Sequence, residues 1–244
     1  MTELLHWDPE LIQRYNRAGP RYTSYPTAVE FKVIDSDQVE KDLLSQRDPS
    51  IPVSLYLHIP FCAHVCYYCG CNKVVTKDRS KSEPYLALLK TEIDRKAELL
   101  KGNSNKNPNE NKPMVEQMHW GGGTPTFLSD DQIVDLMNHL HKRFQFSTAA
   151  SADYSIEIDP RELRPTTLKL LRELGFNRTS FGVQDLNEKV QQAVNRIQPE
   201  SMIRDVMTEA RALGFRSINI DLMSGLPHKT HKTFSVNPGV IIDL

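Results

Sequence analysis

Residues 53–73 read VSLYLHIPFCAHVCYYCGCNK and join a strand to a thiol-rich loop. The first seven alternate, with Val53, Leu55, Leu57 and Ile59 on one face and Ser54, Tyr56 and His58 on the other. That period of two marks a half-buried strand. The loop then carries Cys62, Cys66, Cys69 and Cys71, all four cysteines of the chain within ten residues. A disulfide framework would spread its cysteines to close long loops. The C-x3-C-x2-C spacing instead puts three soft thiolates on one loop, and such sets select zinc, copper(I) or an iron–sulfur cluster.

The strand pattern recurs downstream. Leu86, Leu89, Ile93, Ala97 and Leu100 give residues 82–100 one apolar helical face. The Asn-rich run KGNSNKNPNENKP (101–113) has too little apolar surface to pack and reads as a surface insertion. MVEQMHW (114–120) is a strand ending in GGGTP, after which Ser129 opens a helix with Gln132 in capping-box position. YSIEI (154–158), RTSFGVQ (178–184) and SINIDLM (217–223) are further strands, with helices after Pro165, around 189–195 and from 200 to 213. ELGFNRTSFGV and ALGFRSINIDL repeat one junction, a helix stopped by a glycine with Phe leading into a strand. Five strands with helical crossovers predict a parallel α/β domain, either a barrel or an open doubly wound sheet. Tyr56, His58, Gly121 to Thr124, Glu157, Gln184 and Asp221 fall at or near strand C-termini, the rim where catalytic groups collect. This favours a barrel-like site. The first 50 residues read as a polar, irregular extension.

At 244 residues the chain accommodates one large α/β domain, or at most two small ones. Its formal net charge of −1, with dispersed basic residues, leaves no footprint for nucleic acid or an anionic membrane. No signal segment opens the sequence, and no stretch approaches the roughly 20 apolar residues of a membrane span. A cytoplasmic, reducing compartment is the expectation.

The loop allows three chemistries. Four cysteines suffice for structural zinc, but zinc sites usually draw paired ligands from two separated knuckles. A C-x2-C redox pair would leave Cys62 and Cys71 unexplained. A cubane held by Cys62, Cys66 and Cys69 leaves one iron without a protein ligand, open to a chelating small molecule.

Taken together, PRYTSYPTA, LYLHIPFCAHVCYYCGCNK, HWGGGTPTFL, SIEIDPREL, GFNRTSFGVQDLNEKVQQAVNR and INIDLMSGLP resemble the radical S-adenosylmethionine superfamily, over about residues 20 to 230. More narrowly, the chain resembles the oxygen-independent coproporphyrinogen III oxidases of haem biosynthesis. The resemblance implies a partial (β/α) barrel with parallel strands over residues 51–230, after an N-terminal extension (1–50) and before a divergent tail (231–244). It implies a [4Fe-4S] cluster on Cys62, Cys66 and Cys69, with S-adenosyl-L-methionine on the open iron. A 5′-deoxyadenosyl radical would then turn propionates of coproporphyrinogen III into vinyl groups, giving protoporphyrinogen IX.

The family is associated with two S-adenosylmethionine molecules. Tyr56, Gly122 and Glu157 correspond to the first; Tyr68, Gly123, Thr124, Gln184, Arg196 and Asp221 correspond to the second. His58, on the face of Tyr56, joins them as a catalytic candidate. The implied partners are the porphyrinogen and a low-potential electron donor, acting on a monomer. Cys71 and PRYTSYPTA favour the oxidase over the related haem-chaperone-like members.

Family members run to about twice this length. The sixth strand and a helical C-terminal domain are therefore expected to be missing, leaving the barrel incomplete. A truncated, non-catalytic iron–sulfur or haem-binding protein is the competing expectation.

Overall fold

The computed structural model describes residues 8–16, 27–46, 48, 50–101, 112–230 and 233. Most of PRYTSYPTA, most of the Asn-rich run and nearly all of the tail 231–244 lie outside them. Two compact units divide the chain, Met1–Asp42 and Leu43–Leu244. The first corrects the expectation of irregular structure, because α1 (Pro9–Tyr15) and the start of α2 (Ser36–Gln46) are helical. Asp8 caps α1 by accepting from the Leu11 N–H, and Pro9 stands at the first helical position, where its missing N–H costs nothing.

The second unit is built on a parallel sheet. Its main strands are β1 (Val53–Ile59), β4 (Met114–Gly122), β6 (Asp153–Ile158), β7 (Arg178–Gln184) and β8 (Ser217–Leu222), paired in that order. Each main strand lies beside the next one in sequence. A doubly wound sheet reverses its strand order partway, so this sheet is wound one way, as in a barrel. Among the described residues it does not close, and β1 and β8 are its two edges. Three short strands have too few residues for alternation to reveal them: β2 (Phe61–Cys62) and β3 (Val74–Val75) pair with each other, and β5 (Gln145–Phe146) pairs with β4.

Helices α3 (Ser82–Lys101), α4 (Asp130–Arg143), α5 (Thr167–Glu173) and α7 (Glu200–Ala212) supply the apolar faces that bury one side of the sheet. Leu57, Ile59, Trp120, Ile156 and Phe181 meet Leu86, Ile133, Leu136, Leu171 and Met207 there. In β4 the register slips at Glu116, so that Val115 and Met118 both face this core. The bulge absorbs one residue and keeps His119 and Gly121 on the opposite, polar side. Gly175 (φ +99°) and Gly214 (φ +76°) end α5 and α7 in the left-handed region, as the repeated junctions predict. Helix α6 (Glu188–Ala193) starts at Asn187, whose side chain accepts from Lys189 and Val190 N–H groups. Among the described residues no helix is long and apolar enough to cross a membrane.

Ser129 and Gln132 form the predicted capping box of α4. Beside them Asp130 ties α4 to the segment before α5, accepting from Arg164, Thr166 and Thr167. Burial alone would raise the Asp130 pKa, but these donors outweigh it and hold it below the usual value. Folding therefore favours the ionised form. The stabilisation is complete above the ordinary Asp range of about 3.9 and fades as pH falls through the depressed folded value. In urea titrations across pH, Asp130→Asn is expected to be less stable than the parent near neutrality, with the gap closing on acidification. A gap independent of pH would show that the carboxylate charge is not what matters.

Candidate active site at the strand ends

The cysteine loop leaves β1 through Pro60 and is closed by the β2–β3 pair. Val74 N–H donates to Pro60 O, and Thr76 N–H donates to Cys62 O. A turn within the loop brings Cys69 N–H to Cys66 O at 3.0 Å. The far side of the loop docks near the end of α6, where Tyr67 N–H reaches Val194 O and the Asn195 amide reaches Val65 O. Tyr68 packs with Val190, Val194, Leu226 and Met223. A buried ion pair, Lys229 with Asp185 at 2.6 Å, fixes the segment that carries Leu226.

The GGGTP segment lies against this loop at backbone distance. Gly123 N–H donates to Ile59 O at 2.9 Å, and Thr124 N–H donates to Phe61 O at 2.8 Å. A Cβ on Gly123 would stand 2.7 Å from Phe61 O and 2.8 Å from the Pro60 carbonyl, closer than any real Cβ sits. Gly122, at φ +120°, leaves no room beside His58. The glycines are thus required first by protein backbone, a stricter demand than access for a ligand.

One cavity collects the result. Cys62, Cys66, Cys69 and Cys71 line it, together with Tyr68, Gly122, Gly123, Thr124, Glu157, Gln184, Arg196 and Asp221. Two predicted site residues stand apart. Tyr56, 60% exposed, stacks on His119 and lines a second cavity over the polar face of the sheet. His58 lines neither cavity. Its Nε2–H donates to Asn72 O in the cysteine loop, and its Nδ1 accepts from the Tyr56 hydroxyl, both at 3.0 Å. A carbonyl can only accept, so the Asn72 bond fixes this tautomer.

Burial pushes the Cys62 thiol pKa up, opposed by a bond to Thr124. Burial works the same way on Cys69, but the Cys71 N–H and thiol and the Lys73 ammonium outweigh it and lower the Cys69 pKa. Glu157 is likewise held below its usual value in spite of burial, by His119 and the Gly122 N–H. Asp221 is raised by burial and by the Glu157 charge, with a bond from Ser180 opposing. A cationic or hydroxyl-bearing ligand between these carboxylates would relieve both. Gln184 adopts φ 68°, a left-handed backbone at the irregularity where β7 meets β8. Strain of this kind in a non-glycine residue persists where the surroundings over-determine it, often at ligand sites.

Sequence reasoning missed Asp159, Arg161 and Glu162, which also line the cavity. Asp159 accepts from Arg161 Nη2 at 2.7 Å and from Arg196 Nη1 at 3.0 Å. Glu162 holds Arg79 and His64. All three stand in SIEIDPREL, where Asp-Pro reads only as a strand stop. The regular run of charges in that motif was the available signal. Among the described residues no three His, Cys, Asp or Glu side chains converge closely enough for a single metal ion. The four cysteines nevertheless line one cavity. Thiolate donors with cationic backing and nearby carboxylates fit an iron–sulfur cluster carrying a zwitterionic ligand.

The Radical SAM superfamily model matches residues 56–235. The oxygen-independent coproporphyrinogen III oxidase of Pseudomonas aeruginosa is 49% identical over 246 residues, covering all of this chain and 51% of that protein. A Mannheimia haemolytica relative of the same name is 46% identical over 162 residues, 66% of this chain and the whole of that sequence. The chain belongs to the radical SAM superfamily and, within it, to the oxygen-independent coproporphyrinogen III oxidase family. The structure of coproporphyrinogen III oxidase (HemN) from Escherichia coli, described as a radical SAM enzyme, superposes with a TM-score of 0.82 at 44% identity. It covers 98% of this chain and 50% of its own. The chain therefore spans about half the length of the Pseudomonas and Escherichia relatives. Membership implies a [4Fe-4S] cluster and S-adenosylmethionine, and so decides among the three chemistries open to the loop.

Gly123→Ala is expected to lower the unfolding free energy by about 1–3 kcal/mol, the usual cost of forcing atoms into packed space. Iron retention after anaerobic reconstitution should fall with it. Parent-like stability and iron content would show that the loop and GGGTP can separate freely.

Proposed function

We propose that this chain provides the radical-generating core of an oxygen-independent coproporphyrinogen III oxidase in haem biosynthesis. In the reaction, each of two propionates gives a hydrogen atom to a 5′-deoxyadenosyl radical, releases CO2 and passes one electron to an external acceptor, becoming a vinyl group and giving protoporphyrinogen IX. The observation that carries this reading is the convergence of Cys62, Cys66 and Cys69 with Gly122, Glu157 and Asp221 around one cavity. The cluster and S-adenosylmethionine, when bound, supply the one-electron chemistry that yields a hydrogen-abstracting 5′-deoxyadenosyl radical.

The protein's own part is to hold and orient. Cys62, Cys66 and Cys69 hold the cluster. Tyr56, Gly122 and Glu157 serve a first S-adenosylmethionine, with the ionised Glu157 as acceptor. Tyr68, Gly123, Thr124, Gln184, Arg196 and Asp221 serve a second. Arg196 enters with most of its donors spent, on Gly182 O, Asp159 and Cys66. A guanidinium has five N–H donors, so one Nη2 hydrogen remains, enough for a single bond rather than a two-pronged carboxylate clamp. His58 acts by fixing Asn72 and Tyr56, which couples the first ligand's tyrosine to the cysteine loop. A low-potential donor supplies the electrons to a monomer in the reducing cytoplasm.

Anaerobic reconstitution should give about four irons per chain with iron–sulfur absorbance, and Cys66→Ser should lose that absorbance. With dithionite, S-adenosylmethionine and coproporphyrinogen III, the parent should form 5′-deoxyadenosine and vinyl product. A bound cluster without 5′-deoxyadenosine would favour a non-catalytic iron–sulfur binder. Stoichiometric zinc with no cluster on reconstitution would contradict both readings.

A further inference from the structure

Cys66 is the loop cysteine that two guanidiniums reach. Arg161 Nη2 lies 3.5 Å from its Sγ and Arg196 Nη1 lies 3.4 Å away. Among the described residues, neither Cys62 nor Cys69 receives a guanidinium bond. The Cys62 thiol meets the Thr124 hydroxyl, while the Lys73 ammonium donates to the Cys69 carbonyl and favours the Cys69 thiolate as a point charge.

Both guanidiniums rest on one carboxylate, Asp159. Its Oδ1 accepts from the Arg161 N–H at 3.1 Å and Nε at 3.0 Å, so the same residue caps the turn after β6 and aims the guanidinium. The three side chains are only 9–12% exposed. Burial raises the cost of an unbalanced charge. Two cations against Asp159 leave one positive charge over, and it points at Cys66. A thiolate there, bound to iron, completes the balance.

The direction of the electrostatic effect follows. A cluster held by three thiolates gains one further negative charge on reduction, so a nearby cation favours the reduced form. Hydrogen bonds to cluster sulfurs act in the same sense. We propose that Arg161, positioned by Asp159, is a tuning residue whose N–H···S bond to Cys66 raises the reduction potential of the cluster. This rests on the cluster reading above. Arg161 suits the test better than Arg196, which also faces the second ligand position.

The measurement is the cluster's midpoint potential, from an EPR-monitored redox titration of reconstituted full chain without S-adenosylmethionine. Iron and sulfide are counted first. Arg161→Gln removes the charge and the bond, and its potential is expected at a more negative value than the parent's. Arg161→Lys keeps a cation on Asp159 but loses the forked donor, and should shift the same way by less. A residue that merely packed the loop would change iron content without moving the potential of loaded protein. An unchanged or more positive potential in cluster-loaded Arg161→Gln overturns the proposal. If that variant does not hold the cluster, Arg161→Lys decides by the same criterion. A parent chain that holds no cluster overturns the cluster reading and this proposal together, whereas a loaded parent with an unshifted variant overturns this proposal alone.

Discussion

The contact between two backbones governs this site. Gly122 and Gly123 pass so close to Ile59, Pro60 and Phe61 that any side chain would collide with main-chain or ring atoms. Two hydrogen bonds, Gly123 N–H to Ile59 O and Thr124 N–H to Phe61 O, close the gap. The first turn after β4 is thereby fixed to the first residues after β1, and the thiols face the ends of β6, β7 and β8. Glu157 extends the same contact by accepting from the Gly122 N–H. A flexible glycine linker would leave the loop free to wander from those strand ends.

Charge is distributed around the cavity in a matching way. Arg161 and Arg196 reach Cys66, and Glu157 and Asp221 line the same cavity from the strand ends. Cations near the thiols favour thiolate ligation and added electron density. Carboxylates near the rim favour a ligand with an ammonium or hydroxyl groups. The arrangement suits a zwitterion whose binding groups differ in charge.

Much of this was legible in the sequence because the features are local. Alternation in 53–59, the Ser129–Gln132 cap and the glycine stops at 175 and 214 each depend on neighbours a few residues away, and each appears where its spacing places it. What periodicity could not reach were contacts made across the chain. The two-residue strands β2 and β3 exist only as partners of each other. The slip at Glu116 shows only through pairing with β1. Asp159 binding Arg196, 37 positions away in sequence, is invisible to any local pattern. The helices before residue 50 were missed for a different reason: α1 is only seven residues long, and its Leu11, Ile12 and Tyr15 stay exposed rather than joining the core.

In the proposed function, three thiols leave one iron open for S-adenosylmethionine. Electron–nuclear double resonance on the reduced, reconstituted chain tests it directly, using S-adenosylmethionine labelled at the amino nitrogen and carboxylate oxygens of its methionine part. Hyperfine coupling of both labels to the cluster, as for atoms bound to iron, is the expected result. A cluster signal that is unchanged by the labelled ligand would contradict it.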